Sequence, residues 1–199
     1  MGKPELFSYL SAFVTIVLAV ALGDMVQSTH RLIRARSRVK WDWLPLAFAA
    51  LTALFVVSEF FSLWSKFDVA QISFARMIWL LAIPTLFALL AYSVLPDEIP
   101  ADGIDLTEFY FSERRTWIVI FAIALVLDMV RISEVWSTRP GWFLAYAKFI
   151  GPMIAGTALP LVLMWVAKSR RWQGIGVAGV IVFSLYAILR WTIKAKTGA

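Results

Sequence analysis

The sequence predicts an all-α, polytopic membrane protein with six transmembrane helices. Of its 199 residues, 61% are hydrophobic and 16% are charged, and the mean hydropathy is +0.78, which is outside the range of soluble domains. Six apolar runs are each about as long as the 20 residues that a helix needs to cross a bilayer. They lack the alternating pattern of a membrane β-barrel, so we expect helices. The runs cover residues 6–26, 43–64, 72–95, 116–136, 142–167 and 172–193.

The only sizeable polar stretch separates the third run from the fourth. In it, Asp105 is predicted to cap a helix, with Glu108 three residues later as in a capping box. Apolar residues at helical spacing then predict an amphipathic lead-in that lies in the membrane interface before it turns into the fourth span. A docking surface for a cytoplasmic partner is the alternative. The expected boundaries are 1–199 for a single six-helix domain, 1–95 and 116–199 for two candidate halves, and 96–115 for the polar cytoplasmic segment between them.

The distribution of basic residues predicts the orientation. Residues 30–40 of the link between spans one and two carry five cations and no acid, so the positive-inside rule predicts that the link is cytoplasmic. This prediction places both termini, and residue 68, on the outside of a bacterial inner membrane. Tryptophans near the ends of the runs, including Trp43 and Trp117 on the inner side, are predicted to mark headgroup depth. The five cations are Arg31, Arg34, Arg36, Arg38 and Lys40.

Span four carries three charged residues within two turns: Asp128, Arg131 and Glu134. Asp128 is eleven residues past Trp117, which is about 16 Å along a helix and predicts a position near the membrane midplane. A charge at that depth costs about 3 kcal/mol on insertion scales, so a partner or a water-filled cavity is expected. Arg131 is three residues from each acid and can reach either carboxylate along the helix.

Charged residues on other spans are predicted to join this group in the outer half of the membrane. They are Glu59 on span two, Arg76 at the start of span three and Lys148 at the start of span five. With them, the three acids of the group are balanced by three bases. Two interpretations stay open. The charges are ion pairs that hold helices together, or the acids line a path for cations or protons while the bases set the field.

A short segment of span one is similar in sequence to a segment of span four. Residues 19–30 align without gaps on residues 123–134, which places Asp24 on Asp128 and His30 on Glu134. The two segments are separated by about half the length of the chain, so their similarity suggests a duplication of three spans. Halves with an odd number of spans run in opposite senses across the membrane, as in transporters built from inverted repeats. A chance match is the alternative.

Several chemistries are excluded by composition. His30 is the only histidine and cysteine is absent, so bis-histidine haem, multi-histidine metal sites and thiolate metal sites are not available. Gly174, Gly176 and Gly179 match G-x-G-x-x-G, but no strand precedes them, and close packing of helices is a sufficient explanation. We therefore expect no cofactor, no metal and no enzymatic activity.

The leading functional hypothesis is a small channel or transporter for a proton, an ion or a small polar solute. The rival is a non-catalytic membrane scaffold or regulatory subunit that binds a partner protein through its cytoplasmic loops. The partners we expect are the lipid bilayer, an ion or small solute, and either further copies of the chain or a partner membrane protein. Nucleic acid is not expected, since the basic residues flank membrane spans.

Overall fold

A computed structural model describes residues 3–66, 74–137 and 140–197 of the chain. Within this part the fold is all-α, with a single pair of two-residue strands. The helices are α1 Lys3–Arg34, α2 Trp43–Lys66, α3 Phe74–Ser93, α4 Leu106–Ser137, α5 Trp142–Val166 and α6 Arg170–Thr197, and the strands are β1 Val39–Lys40 and β2 Ile104–Asp105.

Five of the helices are long and apolar enough to cross a membrane. In α3, the described residues give a shorter apolar stretch, Leu80–Ser93. The all-α fold and the membrane character are therefore confirmed, while the count of six spans and the repeat stay predictions. One detail differs: α4 is a single helix from Leu106 to Ser137, so no turn separates the lead-in from the fourth span.

The chain forms two compact units, residues 1–128 and 129–199. The boundary falls inside α4, and the polar segment 96–115 belongs to the first unit. The expectation of one domain with halves at 1–95 and 116–199 stays a prediction.

In the first unit, α1 packs against α3 and α2, and α2 packs against α3. The buried face of α1 includes Val14, Leu18, Ala21 and Met25, whose spacing of four, three and four residues is that of one helix face. The opposite face exposes apolar residues such as Ile16. An apolar surface of this kind is what a helix presents to lipid, where it costs nothing.

The α1–α2 link and the α3–α4 link lie at the same end of the first unit. Strands β1 and β2 pair in parallel, with Val39 opposite Ile104 and Lys40 opposite Asp105. Gly103 precedes β2 with a φ of +97°, and a Cβ at this position would overlap the carbonyl oxygen of Arg38. Only glycine accepts both the left-handed backbone and the close approach without strain. The two links are therefore held together as one ordered layer, which we call the loop end.

At the loop end, two aspartates cap the helices that follow them. Asp42 accepts from the backbone N–H of Leu44 (2.9 Å) and, through its other oxygen, from the hydroxyl of Thr107 (2.7 Å). Asp105 accepts from the backbone N–H groups of Thr107 (2.8 Å) and Glu108 (3.3 Å), which confirms the predicted cap. These bonds favour the ionised carboxylate, so the pKa of Asp105 lies below its usual value.

In the second unit, α5 and α6 pack closely where glycines replace larger side chains. A Cβ at Gly176 would overlap the side chain of Met164, and a Cβ at Gly156 would overlap the ring of Phe183. The predicted use of small residues in α6 for close packing is confirmed at Gly176. Gln173 is fully buried in the first turn of α6 and donates to the carbonyl oxygens of Met164 (2.7 Å) and Ala167. It thereby satisfies carbonyls at the end of α5.

Candidate functional site

An aromatic core fixes how α2 and α4 lie side by side. The rings of Phe48 and Trp117 stack with their centroids 5.3 Å apart and an interplanar angle of 26°. Phe121 then packs edge-on against Phe55, with centroids 4.8 Å apart. Trp117 also donates its indole N–H to the carbonyl oxygen of Ser93 at the end of α3 (3.1 Å). Since both helices start at the loop end, they run in the same direction.

On both helices, positions spaced by four, three and four residues lead from a ring of this core to an acid. On α2 the positions are Phe48, Thr52, Phe55 and Glu59; on α4 they are Trp117, Phe121, Ala124 and Asp128. Eleven residues are about three turns and 16 Å of helix, so the last position falls within about 20° of the face of the first. Glu59 and Asp128 therefore occupy equivalent positions in the two patterns, each eleven residues beyond one ring of the stacked pair Phe48 and Trp117.

The structure corrects the use of Trp117 as a headgroup marker. Trp117 is fully buried inside the protein, where it stacks on Phe48, five residues past Trp43. The depth of Asp128, which the sequence interpretation counted from Trp117, stays a prediction.

The two acids differ in burial. Glu59 exposes only 6% of its surface, whereas Asp128 is half-buried. Each of them makes at least one polar or electrostatic interaction within the chain, so neither is isolated. Burying a carboxylate this deeply among apolar helices costs free energy, so such a residue is expected to have a compensating partner or a functional role.

The remaining members of the predicted charge network are less clearly assembled. Arg131 is half-buried on α4 and also interacts within the chain. Lys148 is exposed on α5, in the second unit. Glu134 lies on α4 and Arg76 on α3, but their side chains are outside the described residues. Among the described side chains, Glu59, Asp128 and Arg131 each interact within the chain, and the convergence of three acids and three bases stays a prediction.

Asp24, the acid that the repeat hypothesis singled out, belongs to a second polar group nearer the loop end. Arg31 Nη2 lies 3.9 Å from Asp24 Oδ1 and 3.9 Å from Asp97 Oδ1, and donates to the hydroxyl of Ser28 (2.9 Å). The sequence interpretation used Arg31 only as a cation of the first link and did not consider Asp97. The spacing of Asp24, Ser28 and Arg31 on one face of α1 was the available signal.

A third polar group, missed from the sequence, is buried at the start of α4. Arg114 is buried, and its guanidinium lies 5.0 Å from the ring centroid of Phe111. The fully buried Tyr110 interacts electrostatically with both Arg114 and Asp42. The position of Arg114 beside the helix caps indicates a structural role at the loop end.

Within the described residues, no group of three or more His, Cys, Asp or Glu side chains could hold a metal ion. The candidate site therefore consists of the acids Glu59 and Asp128, with Asp24, Arg31 and Asp97 nearer the loop end. No protein-family model, no curated protein and no solved structure matches the chain.

Proposed function

We propose that the protein is a small membrane channel or transporter for a proton, an ion or a small polar solute, and that Glu59 and Asp128 line its path. The observation that carries the proposal is the shared pattern that places a carboxylate eleven residues beyond each of two stacked rings on α2 and α4, with Glu59 buried. In the proposed path the two carboxylates lie near each other, where ionised groups repel each other and lose hydration. A cation or proton that binds between them reduces both the repulsion and the cost of lost hydration. A transport function therefore accounts for two carboxylates in an apolar bundle.

A second level of acids supports a path rather than an isolated pair. Asp24 lies ten residues before the end of α1 at Arg34, about 15 Å along the axis from that end, whereas Glu59 lies about 24 Å from Trp43. Acids at two depths of the first unit suit stepwise movement of a cation or proton. We place the path in the first unit for this reason.

We also propose that the chain lies in a bacterial inner membrane, with the loop end in the cytoplasm and both termini outside. The pairing of β1 with β2 supports the shared side of the two links, and the basic first link supports the cytoplasmic side. Ser37 is exposed there. In a chain without native cysteine, a membrane-impermeant maleimide should label Asp68→Cys but not Ser37→Cys in intact cells. The reverse pattern would overturn the orientation.

The six-span arrangement and the inverted repeat are part of the same proposal. The ungapped alignment of residues 19–30 on residues 123–134 supports a duplication in which Asp24 and Asp128 occupy corresponding positions, as in transporters with inverted repeats.

The experiment combines flux and stability on one purified sample. Wild-type protein in liposomes should conduct protons, alkali cations or halides. Asp128→Asn keeps the size of the side chain and should reduce flux by about tenfold or more, equivalent to roughly 1.4 kcal/mol in the barrier, while the melting temperature changes little. The matched control is Glu98→Gln, an exposed acid of the second link, which should change neither.

The same experiment separates the proposal from the scaffold alternative. If Asp128 serves only as one member of a structural ion pair, Asp128→Asn leaves its partner under-compensated in a medium of low dielectric, and the melting temperature falls. Absence of flux from the wild-type protein for all three classes of ion would reject the ion and proton forms of the proposal and favour the scaffold.

A further inference from the structure

The group around Arg31 divides one cation between two acids. The guanidinium Nη2 is 3.9 Å from a carboxylate oxygen of Asp24, on the same helix, and 3.9 Å from a carboxylate oxygen of Asp97, on the α3–α4 link. Asp24 lies seven residues before Arg31, about 10 Å deeper along α1. The side chain of Asp97 is 69% exposed and that of Asp24 is 21% exposed. Arg31 thus connects an acid inside the bundle with an acid at its surface.

Neither pairing has the geometry of a committed ion pair. A strong arginine–carboxylate pair is usually bidentate, with N···O distances of about 2.7–2.9 Å, and both distances here are well beyond that. The one close hydrogen bond of Nη2 is to the neutral Ser28 hydroxyl, at 2.9 Å. The buried Nε of Arg31 donates to no acceptor among the described residues. The guanidinium therefore has donor capacity left for a closer pair with either acid.

The charge count makes the two pairings compete. One guanidinium cannot form a bidentate pair with two carboxylates that approach from different sides, so strengthening one pair weakens the other. The attraction grows steeply as the charges approach, and more so where water is partly excluded, as it is around Asp24. Ser28 is buried on α1 between Asp24 and Arg31 in sequence. Its hydroxyl is a neutral acceptor for the guanidinium of Arg31 when that group lies between the two carboxylates.

We infer that Arg31 is a two-position latch between Asp24 on α1 and Asp97 on the α3–α4 link. When Arg31 pairs with Asp97, the link is held against the end of α1. When Arg31 pairs with Asp24, the link is released. A cation that reaches Asp24 neutralises it and shifts Arg31 to Asp97, so occupancy of the bundle controls closure at the loop end. This role in gating rests on the proposed transport function, but the latch itself can be tested without measuring flux.

Hydrogen exchange of the α3–α4 link tests the latch, because the two acids have opposite effects on it. Exchange of amides 94–103 is measured by mass spectrometry in detergent and expressed as protection relative to the intrinsic rate of each sequence. Asp24→Asn leaves Arg31 only Asp97 as an acidic partner and should slow exchange of the link several-fold. Asp97→Asn should quicken it. Glu98→Gln, which removes an exposed neighbouring acid, is the matched control and should match wild type.

The combined variants show whether Arg31 carries the effect. In an Arg31→Gln background, Asp24→Asn should no longer slow exchange of the link. If Arg31→Gln does not fold, Arg31→Lys serves instead, because a lysine retains the charge but not the bidentate fork, and the slowing should be reduced. A link whose exchange is unchanged in Asp24→Asn, or changed in the same direction by both acid substitutions, overturns the latch. Neither result would bear on whether Glu59 and Asp128 line a path, since that proposal is tested by flux.

Discussion

Phe48 on α2 and Trp117 on α4 stack with their ring centroids 5.3 Å apart, and each lies eleven residues before an acid, Glu59 or Asp128. Nearer the loop end, Asp42 accepts a hydrogen bond from Thr107, which joins the starts of the two helices. Trp117 also donates a hydrogen bond to Ser93 at the end of α3. The contacts of Trp117 therefore join three helices.

Removing the Phe48 ring should destabilise the first unit strongly. Phe48 is 1% exposed and contacts both Trp117 and Phe121, so Phe48→Ala should lower the free energy of unfolding by about 3–5 kcal/mol. Phe143 is 68% exposed, and Phe143→Ala should change it little. Thermal or denaturant unfolding in detergent compares the two variants. Equal losses would show that the aromatic core does not hold α2 and α4 together.

Gly103→Ala should be costly for two reasons that act together. The residue has a φ of +97°, and an added Cβ would overlap the carbonyl oxygen of Arg38 across the loop end. Backbone strain of this kind costs about 1–3 kcal/mol, and the overlap adds to it. Gly151 lies inside α5, where an added Cβ would meet nothing within 4 Å, so Gly151→Ala should be neutral or stabilising. A higher melting temperature for Gly103→Ala than for wild type would contradict the described loop end.

The cap formed by Asp105 should make part of the stability depend on pH. Its folded-state pKa is lowered, chiefly by the backbone N–H of Thr107, from the usual value of 3.8. The stabilisation is therefore present above about pH 3.8 and is lost as the pH falls through the lower, folded-state pKa. An asparagine at this position would also cap the helix but does not titrate. The melting temperature of wild type should exceed that of Asp105→Asn at about pH 6, and the difference should shrink as the pH falls below 3.8. A difference that stays the same over this range would exclude this role for the charge.

The parts of the fold that sequence reasoning predicted are those encoded over short distances. Apolar runs of about 20 residues specify membrane helices, and Asp105 marks the start of its own helix. The missed features join residues far apart in the chain, such as Asp42 with Thr107 and Arg31 with Asp97. No local pattern specifies such pairs, because they depend on which helices become neighbours.

The candidate site shows the same limit. Glu59 and Asp128 were singled out because acids are rare in apolar helices, and that signal is local. The burial of Trp117 was missed because this residue, at the border of an apolar run, was interpreted as a headgroup residue. A buried tryptophan and an interfacial one have the same sequence surroundings, and only the packing against Phe48 distinguishes them.

Flux through purified protein in liposomes is the most direct measure of whether Glu59 and Asp128 act as one site. Glu59→Gln, Asp128→Asn and the double variant are compared with wild type, with Glu98→Gln, at an exposed acid of the second link, as the matched control. Each single variant should lose most of the flux. The double variant should retain at least as much flux as the less active single variant, because the effects of residues that act as a unit are not additive. Wild-type flux in both single variants, with melting temperatures unchanged, would contradict the role of the two carboxylates in the path.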